Sequence, residues 1–336
     1  MASGLTLSVL DQSPIRSGGS ATDALNETIE LAIQTERLGY YRFWVAEHHG
    51  SKSFAGCAPE ILISRIAAET QKMRVGSGGV MLPHYSPYKV AETFKILESL
   101  YPGRIDLGIG RAPGSDFLAA QALAYGSNIG IEYFHNKLAD LQAFLNGTAP
   151  MTRGLEKIWV APDTEFQPEL WILGSSHDSA VFASHFGLPY SFAHFISPDQ
   201  SQACMSHYFN EFKGKETISP RGSLGVFVLC AETEDKVADL RHCRDIWRLR
   251  FEKGDPGPCP SVEEARSITL SKEDEQRLED RRRFSVAGTP DQVKTQLEQL
   301  AADHQVNELI VVTICYDFQD RLRSYELLAE VFGISG

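Results

Sequence analysis

Two adjacent histidines follow a short apolar segment near the start of the chain, within Glu47-His48-His49. A neutral imidazole can take up or release a proton near pH 7, so a histidine in this place suits acid–base chemistry or hydrogen bonding to a substrate. Neighbouring side chains on an extended backbone point apart, so only one of the pair can face a shared site. The other is then structural, and surface or capping roles for both remain the alternative.

Three further segments carry residue types that bind phosphates or flat ligands. The glycines of Ser77-Gly78-Gly79 let the backbone approach a flat ligand closely, although a tight turn explains them equally well. In Gly110-Arg111 the guanidinium can hold a phosphate or a ring carbonyl through two donors, and a surface ion pair is its alternative. Gly174-Ser175-Ser176 directly precedes a predicted helix, whose free N–H groups and dipole favour an anion, unless the serine is only a helix cap.

Two other candidates are less clear. Gly108 and Gly110 begin a near match to the dinucleotide fingerprint G-x-G-x-x-G, but Pro113 replaces the third glycine and the surrounding elements do not form a simple strand–helix–strand opening. We therefore reject a dinucleotide site of that kind. His194 lies within FAHF after a predicted strand, where it either packs in the core or lines a ligand site, and we count it among the candidate cofactor-binding residues.

Short apolar segments alternate with longer helical patterns along the chain. Helices are predicted at 24–38, capped by Asp23 and Gly39, from Pro59 onwards, at 88–100, up to Phe186-Gly187, and at 318–332. The predicted strands are 5–10, 42–46, 74–79, 105–109, 170–173, 191–193, 224–231 and 308–314. Such units form either an open doubly wound sheet or a closed barrel, and eight of them favour an α/β fold of the (β/α)8 TIM-barrel type with insertion segments.

The predicted barrel places the candidate residues together. Chemistry in such barrels lies at the carboxyl ends of the strands, and five consecutive strand ends carry glycine, histidine, arginine or serine. This pattern favours a phosphate-bearing ligand in the barrel mouth. We expect a single domain over residues 1–336 with an insertion at about 250–285, which contains GDPGPCP and the charged run KEDEQRLEDRRR. That insertion is either a lid over the site or a solvated helix without a role.

Composition limits the partners and the compartment. The formal net charge of -12 argues against a nucleic-acid-binding surface. Six scattered cysteines without a C-x-x-C pair indicate reduced thiols, mostly in the interior. The first residues predict a strand and no signal peptide, and no apolar run approaches the length of a membrane span. We therefore expect a cytoplasmic protein that binds neither membranes nor nucleic acids.

Longer segments resemble the bacterial-luciferase-like flavin-dependent monooxygenases. WVAEHHG, GSGGVMLPHYSP and PGRIDLGIGRAPGSD occur in the family's order, followed by WILGSS, HFGLP, FAHF, AGTPDQV and DRLRSYELLAE. The resemblance extends from Leu7 to about Phe332. It is specific for the family and says little about the substrate.

The resemblance implies a (β/α)8 barrel, usually dimeric, that binds FMN. Reduced FMN comes from a separate NAD(P)H:flavin reductase and reacts with oxygen to oxygenate a small organic substrate. By motif, His48 assists the oxygenation, Ser77-Gly78 forms an unusual cis peptide beneath the flavin ring, which extends over Gly79, and Ser175-Ser176 with Arg111 holds the phosphate. Gly110 and Ser175 replace a cysteine and a glutamate of light-emitting luciferase, so light emission and a long-chain aldehyde substrate are not expected.

Three alternatives stay open at this stage. The same barrel could bind the deazaflavin F420 and transfer hydride without oxygen, or it could hold a flavin without turnover. A metal-dependent hydrolase would use His48, His84 and His194, but the end of the first strand offers only Asp11 and no H-x-H pair. We therefore expect no metal site.

Overall fold

Nine parallel strands alternate with helices in the computed structural model of the chain, which describes residues 4–112, 117–126, 130–214 and 219–336. Most of the strands are buried apolar runs, as expected for a sheet covered on both faces. They are β1 (Thr6–Asp11), β2 (Arg42–Val45), β3 (Arg74–Met81), β4 (Ile105–Gly110), β5 (Glu169–Gly174), β6 (Tyr190–Ala193), β7 (Gly222–Cys230), β8 (Val286–Gly288) and β9 (Glu308–Val312).

Eight of the strands close into a barrel, which confirms the predicted fold. The strands β1 to β7 follow in order around the barrel, and β9 joins β7 to β1. Strand β8 lies outside this ring and pairs only with the end of β7, where Val228 faces Val286. The sequence patterns did not predict β8, because three residues are too few to form a recognisable apolar run.

Helices surround the barrel and follow the strands. They are α1 (Ala21–Leu38), α2 (Pro59–Glu69), α3 (Pro87–Leu100), α4 (Phe117–Ala124), α5 (Phe134–Asn146), α6 (His177–Phe186), α7 (Pro198–Asn210), α8 (Glu234–Glu252), α9 (Val262–Ser267), α10 (Lys272–Arg282), α11 (Pro290–Asp303) and α12 (Phe318–Phe332). None of those in the described ranges combines the length and the apolar composition that crossing a lipid bilayer requires.

The first helix corrects one detail of the sequence analysis. Its N-cap is Ser20, whose hydroxyl accepts from the backbone N–H of Asp23 at 3.1 Å. Asp23 lies one turn further on, and its carboxylate accepts from the Ser20 backbone N–H at 2.8 Å. The two residues therefore form a reciprocal capping box, which satisfies two backbone donors. The predicted end at Gly39 is confirmed, with a left-handed φ of 91°.

Apolar side chains fill the space between the barrel and its helices, and aromatic residues fill part of the barrel itself. Trp44 and Trp171 meet edge to face with ring centroids 5.4 Å apart, and Leu10 and Ile310 belong to the same buried cluster. These side chains come from β1, β2, β5 and β9. They form an apolar floor below the carboxyl ends of the strands.

Charged side chains occupy the amino-terminal end of the barrel. Arg42, at the start of β2, is almost fully buried and donates to Asp106 at 2.6 Å and to Glu308 at 2.7 Å. Arg74 adds a second cation on Asp106, and Glu169 lies 3.4 Å from Arg42. Burial alone would lower the pKa of Arg42, but the surrounding carboxylates raise it above its ordinary value. The cluster joins five strands through ion pairs.

The predicted insertion lies between β7 and β8 and contains the end of α8 together with α9 and α10. It is attached to the loop after β1, because Cys259 exchanges backbone hydrogen bonds with Ile15 and Ser17 at 2.8 Å each. Ser53 also donates to the carbonyl of Gly257 at 2.8 Å. The insertion is therefore packed onto the carboxyl end of the barrel.

Candidate active site

A cavity of about 350 Å³ opens at the carboxyl ends of the strands. Eight of the ten residues predicted from the sequence line it, namely His48, Gly78, Gly79, Gly110, Arg111, Gly174, Ser175 and Ser176. Ser77 and His194 are not among the lining residues. Pro113 and Gly114 of the near-fingerprint lie outside the described residues. Closure of the barrel thus brings together groups that are far apart in the sequence.

His48 lies against an aromatic ring at the side of this cavity. Its imidazole stacks on Phe54 with ring centroids 4.3 Å apart, and its backbone N–H donates to Gly56 at 2.9 Å. Burial, and to a smaller extent the neighbouring His49, lowers the pKa of His48 to about 4. Among the described residues, Nδ1 of His48 has no hydrogen-bond partner. The side chain is therefore a neutral imidazole with an unused polar atom.

Glu47 fixes the loop that carries His48. Its carboxylate accepts from Tyr85 Oη at 2.7 Å and from the Met81 backbone N–H at 3.0 Å, and it lies 2.6 Å from Nε2 of His49. Both histidines thus have separate tasks, since His49 binds Glu47 while His48 lines the cavity. Sequence reasoning did not identify Glu47 or Tyr85, although Glu47 stands inside the motif that was singled out.

The glycines of β3 form one wall of the cavity. A side chain at Gly78 would come within 2.5 Å of Leu10, and one at Gly79 would come within 2.7 Å of the Gly108 carbonyl oxygen. The cis peptide joins Gly78 to Gly79, so the expectation that it would join Ser77 to Gly78 is wrong by one residue. The register between β3 and β4 shifts at the same place.

Ser77 has a structural contact instead of a position on the cavity wall. It is fully buried, and its hydroxyl donates to the Gly108 carbonyl at 2.8 Å. The bond joins β3 to β4 immediately below the two cavity glycines. Ser77 therefore positions that wall from behind.

The turn from β5 into α6 presents a set of hydrogen-bond donors to the cavity. Ser176 is the N-cap of α6, and it shares a capping box with Ser179. A side chain at Gly174 would overlap Ser179, which explains a glycine at this point. Ser175 and Ser176 line the cavity beside the positive end of the helix dipole. Their hydroxyls and the free N–H groups suit an anion.

Arg111 lies at the edge of the same donor set. Its guanidinium is 2.7 Å from the carboxylate of Asp178, in the first turn of α6, and it lies 6.0 Å from the ring of Phe182. Both charged side chains are at least one-third exposed, so their pairing is weak in water. The guanidinium can therefore turn from Asp178 to an anion in the cavity at small cost.

His194 is directed into the protein behind β6. Its Nδ1 lies 3.0 Å from Oγ of Ser201, and its ring meets that of His304 at 5.6 Å. Burial, followed by the nearby His304, lowers the pKa of His194 to about 4. Of the two interpretations considered for this residue, the geometry favours a core histidine.

The residues considered for a metal site do not assemble. Asp11 is buried in an ion pair with Arg321 and accepts from the Ser13 backbone N–H at 2.6 Å. His48 lines the cavity, whereas His194 packs behind β6. Within the described ranges, no group of three or more His, Cys, Asp or Glu side chains has metal-binding geometry. All six cysteines are free thiols, and Cys57 alone of these six is exposed.

A second chamber of about 280 Å³ adjoins the main cavity. The two spaces share Gln12, His48, Phe195 and Ile196 as lining residues. Sequence reasoning missed Gln12, although its position directly after β1 was a usable signal. The aromatic residues of α8 gave no such signal, because an aromatic stripe on a helix usually packs in a core.

A (β/α)8 barrel with a largely apolar cavity and a few polar groups at its strand ends has the architecture of a small-molecule enzyme. The model of the luciferase-like monooxygenase family matches residues 5–306 of the chain. A protein of Bacillus subtilis described as uncharacterized, YwcH, is 45% identical over 330 residues, which cover 98% of this chain and 99% of the relative. The N-acetyl-S-alkylcysteine monooxygenase of Bacillus subtilis is 34% identical over 331 residues, covering 97% and 98%.

Solved structures agree with this assignment. The crystal structure of apo-MsnO8 has a TM-score of 0.90 and 41% identity, covering 100% of this chain and 99% of that one. More distant structures share the fold, among them the oxygenating constituent of 3,6-diketocamphane monooxygenase in complex with FMN, with a TM-score of 0.72 and 18% identity. An F420-dependent secondary alcohol dehydrogenase has a TM-score of 0.70 and 14% identity. The chain belongs to the luciferase-like monooxygenase family, as its motifs indicated.

Proposed function

We propose that this protein is an FMN-dependent monooxygenase, which uses reduced FMN and molecular oxygen to oxygenate a small organic substrate. The observation that carries the proposal is the cavity in which a neutral imidazole, a wall of glycines and a set of anion-binding groups lie together. Family membership supports an oxidoreductase, and one relative is named as a monooxygenase. The 3,6-diketocamphane enzyme, with the same fold, binds FMN.

The lining residues fit both parts of FMN, the flat flavin ring and the phosphate. A flat ring packs best against backbone that carries no side chain. A Cβ at Gly110 would protrude into the cavity, where the nearest atom among the described residues is the sulfur of Met81 at 3.8 Å, so the glycine leaves this space open for the ring. A phosphate needs several donors, which Ser175, Ser176 and the start of α6 supply, with Arg111 beside them. The glycine wall and the set of donors therefore line the same cavity.

The chain's own groups have distinct tasks in this proposal. Reduced FMN, when bound, supplies the activation of oxygen. Ser175, Ser176 and Arg111 bind and orient the phosphate. His48 stays neutral and can accept a proton at Nδ1 or hold a substrate group there. Leu10, Trp44 and Ile310 line the floor and exclude water from the reacting centre.

Flavin binding gives the first test. We expect FMN to bind at least about tenfold more tightly than riboflavin, which lacks the phosphate and so loses its charge-assisted hydrogen bonds. Titration calorimetry with FMN, riboflavin and F420 measures this directly. Arg111→Ala should reduce the preference for FMN, whereas Arg65→Ala, at an exposed ion pair on α2, should leave it unchanged. Preferential binding of F420 would replace the proposal with deazaflavin-dependent hydride transfer.

Oxygen reactivity gives the second test. The protein is mixed anaerobically with reduced FMN, oxygen is added rapidly, and flavin absorbance is compared with that of free FMN. We expect reoxidation to follow a course distinct from that of free FMN, because the cavity excludes water. If bound FMN is reoxidised with the same time course as free FMN, the result would favour a flavin-binding protein without turnover.

The same assay tests His48. His48→Gln keeps the size of the side chain and removes the imidazole. We expect FMN affinity to change by less than about twofold and the distinctive oxygen reaction to fall by about a hundredfold, the usual contribution of general acid–base groups. Survival of both binding and reactivity would assign His48 a structural role only.

We also propose that a separate NAD(P)H:flavin reductase supplies reduced FMN and that the protein works in the cytoplasm. The incomplete G-x-G-x-x-G segment supports the first statement, because the chain offers no complete dinucleotide fingerprint there. Six unpaired cysteines support the second. Adding a purified flavin reductase and NADH should then replace chemically reduced FMN in the oxygen assay.

A further inference from the structure

The second chamber lies between the main cavity and the insertion. Its walls include Trp247 and Phe251 of α8 and Arg281 of α10, and it shares His48 with the main cavity. A molecule in this chamber would therefore lie beside the same imidazole as a cofactor bound in the main cavity. Assigning this chamber to the substrate rests on the proposed function, which places the cofactor in the main cavity.

Buried polar atoms in the chamber walls lack partners. The indole N–H of Trp247 donates to no atom among the described residues, although the side chain is only 5% exposed. Oε1 of Gln12, at 8% exposure, and Nδ1 of His48 also have no partner there. An unpaired buried donor costs roughly 1–3 kcal/mol, which a hydrogen bond to a ligand would offset.

The walls between these atoms are aromatic. Phe54 stacks on His48 and meets Trp247 edge to face, with ring centroids 5.7 Å apart. Phe251, on the next turn of α8, has its ring centroid 6.0 Å from that of Trp247. Rings in this arrangement offer flat faces and edges that pack best against another ring. A flexible alkyl chain would gain only the apolar contact area.

Charge at the rim limits the ligand further. The guanidinium of Arg248 lies 3.1 Å from Glu252, and that of Arg281 lies 3.5 Å from the same carboxylate. Two cations thus share one anion, which leaves one positive charge in excess. This excess disfavours a cationic ligand and tolerates a neutral or anionic one.

From these observations we infer that the substrate is a planar aromatic compound, neutral or anionic, that binds in the second chamber with an oxygen accepting from Nε1–H of Trp247. The amide oxygen of Gln12 is available to a donor group on the same compound. His48 then lies between substrate and cofactor. Trp247 is the specificity-determining residue in this arrangement.

Indole N–H resonances of the full-length protein test the inference without any turnover. Trp247→Phe identifies the signal of Trp247 by its disappearance. The probes are 2-naphthol, naphthalene, which lacks the oxygen, and decanal, an aliphatic aldehyde. We expect 2-naphthol to shift the Trp247 signal and to bind more tightly than the other two probes, both with and without FMN.

Affinities of the variants complete the test. Trp247→Phe keeps an aromatic ring and removes the donor, so it should weaken 2-naphthol binding by about threefold to tenfold and leave naphthalene unchanged. Trp159→Phe, the same change at an exposed position, should affect neither probe. Equal affinity for decanal, or an unshifted Trp247 signal with 2-naphthol bound, would overturn the inference. Because this readout needs no oxygen reaction, a failure to bind FMN would contradict the proposed function and leave the aromatic chamber standing.

Discussion

His48 and His194 share an unusual electrostatic property despite their different positions. One lines the cavity and the other packs behind β6, yet burial lowers the pKa of both to about 4. An unfolded chain protonates histidine near pH 6.5. The native protein therefore keeps two neutral imidazoles in a pH range where the unfolded chain would charge them.

Stability should fall as the pH drops from 6.5 to about 4, because the unfolded state binds more protons in this window. With a native pKa of about 4, each histidine lowers the free energy of unfolding by about 2 kcal/mol at pH 5 relative to pH 8. Urea unfolding of the wild-type protein, His48→Gln and His194→Gln at both pH values measures this. Each variant should lose a smaller amount on acidification, and an unchanged loss in both would contradict the burial argument.

Glycines at the cavity wall should differ sharply in their tolerance of a methyl group. Gly79→Ala would bring a Cβ within 2.7 Å of both the Gly108 carbonyl oxygen and Leu173, so we expect a large loss of thermal stability. Gly110→Ala meets only Met81 at 3.8 Å, and it should fold normally while weakening FMN binding. Thermal melts and FMN titrations of the two variants check this. Equal stability of both would show that β3 can relax around the added atom.

The site residues were predicted from the sequence only in part. The glycine, serine, histidine and arginine residues at the strand ends were enough to predict eight of the cavity residues, because the barrel fixes where strand ends meet. The family resemblance placed the cis peptide one residue too early, and His194 was counted among the cofactor-binding residues. A motif specifies neither the register of a strand nor the direction of a side chain. Trp247 reaches the second chamber through packing of α8, which no spacing rule predicts.

At the scale of elements, we propose that the insertion acts as a lid over the second chamber, which it helps to line. Charged pairs join α10 to α8, since Arg282 lies 2.7 Å from Asp245 and Lys253 lies 2.8 Å from Asp274. The buried carboxylate of Asp245 depends on Arg282, because Arg244 approaches it only to 3.5 Å. The charged run predicted from the sequence is thus a helix tied to its neighbour through ion pairs.

Arg282→Ala should loosen this lid without unfolding the barrel. It leaves Asp245 buried with a single distant partner, and we expect amide hydrogen exchange in 268–285 to become about tenfold faster. Arg277→Ala is the matched control, since within the described residues Arg277 forms an ion pair with Glu273 of the same helix and with no other element. Mass-spectrometric exchange measures both variants. Equal rates in the two would mean that other contacts hold the insertion.

The sequence predicted the barrel strands better than the helices of the insertion. Most barrel strands are apolar runs bounded by turn residues, and all eight were predicted close to their observed bounds. The insertion has few apolar residues, so its division into α9 and α10 was not predicted. Strand β8 is stable only because β7 extends beyond the barrel and offers it an edge.

At the scale of the whole molecule, we propose that two copies of the chain associate through α2 and α3. Their outer faces leave Ile61, Ile96 and Leu100 at least about half exposed, and Tyr101 joins the helices by donating to the Ser64 carbonyl at 3.0 Å. Exposed apolar side chains on two neighbouring helices favour a protein partner. A second copy, as the family resemblance implies, would cover both faces symmetrically.

Leu100→Glu should separate such a dimer into monomers, because it places a charge in an apolar contact. Light scattering coupled to size exclusion measures the mass, which is 37.3 kDa for one chain. Phe166→Glu, at a similarly exposed position between β4 and β5, should leave the mass unchanged. A wild-type protein that is already monomeric at micromolar concentration would overturn the dimer proposal.

The charged cluster at the amino-terminal end of the barrel has a consequence for how this protein can diverge. Loss of Arg42 alone would leave the buried carboxylate of Glu308 without its cation and Asp106 with Arg74 only, at a cost of about 3–5 kcal/mol. Mutations there are therefore tolerated only in combination, whereas loops at the opposite end can change one residue at a time. Descendants of this chain should keep Arg42 together with its carboxylates or replace the whole set by apolar residues. Their substrates can change independently of this cluster.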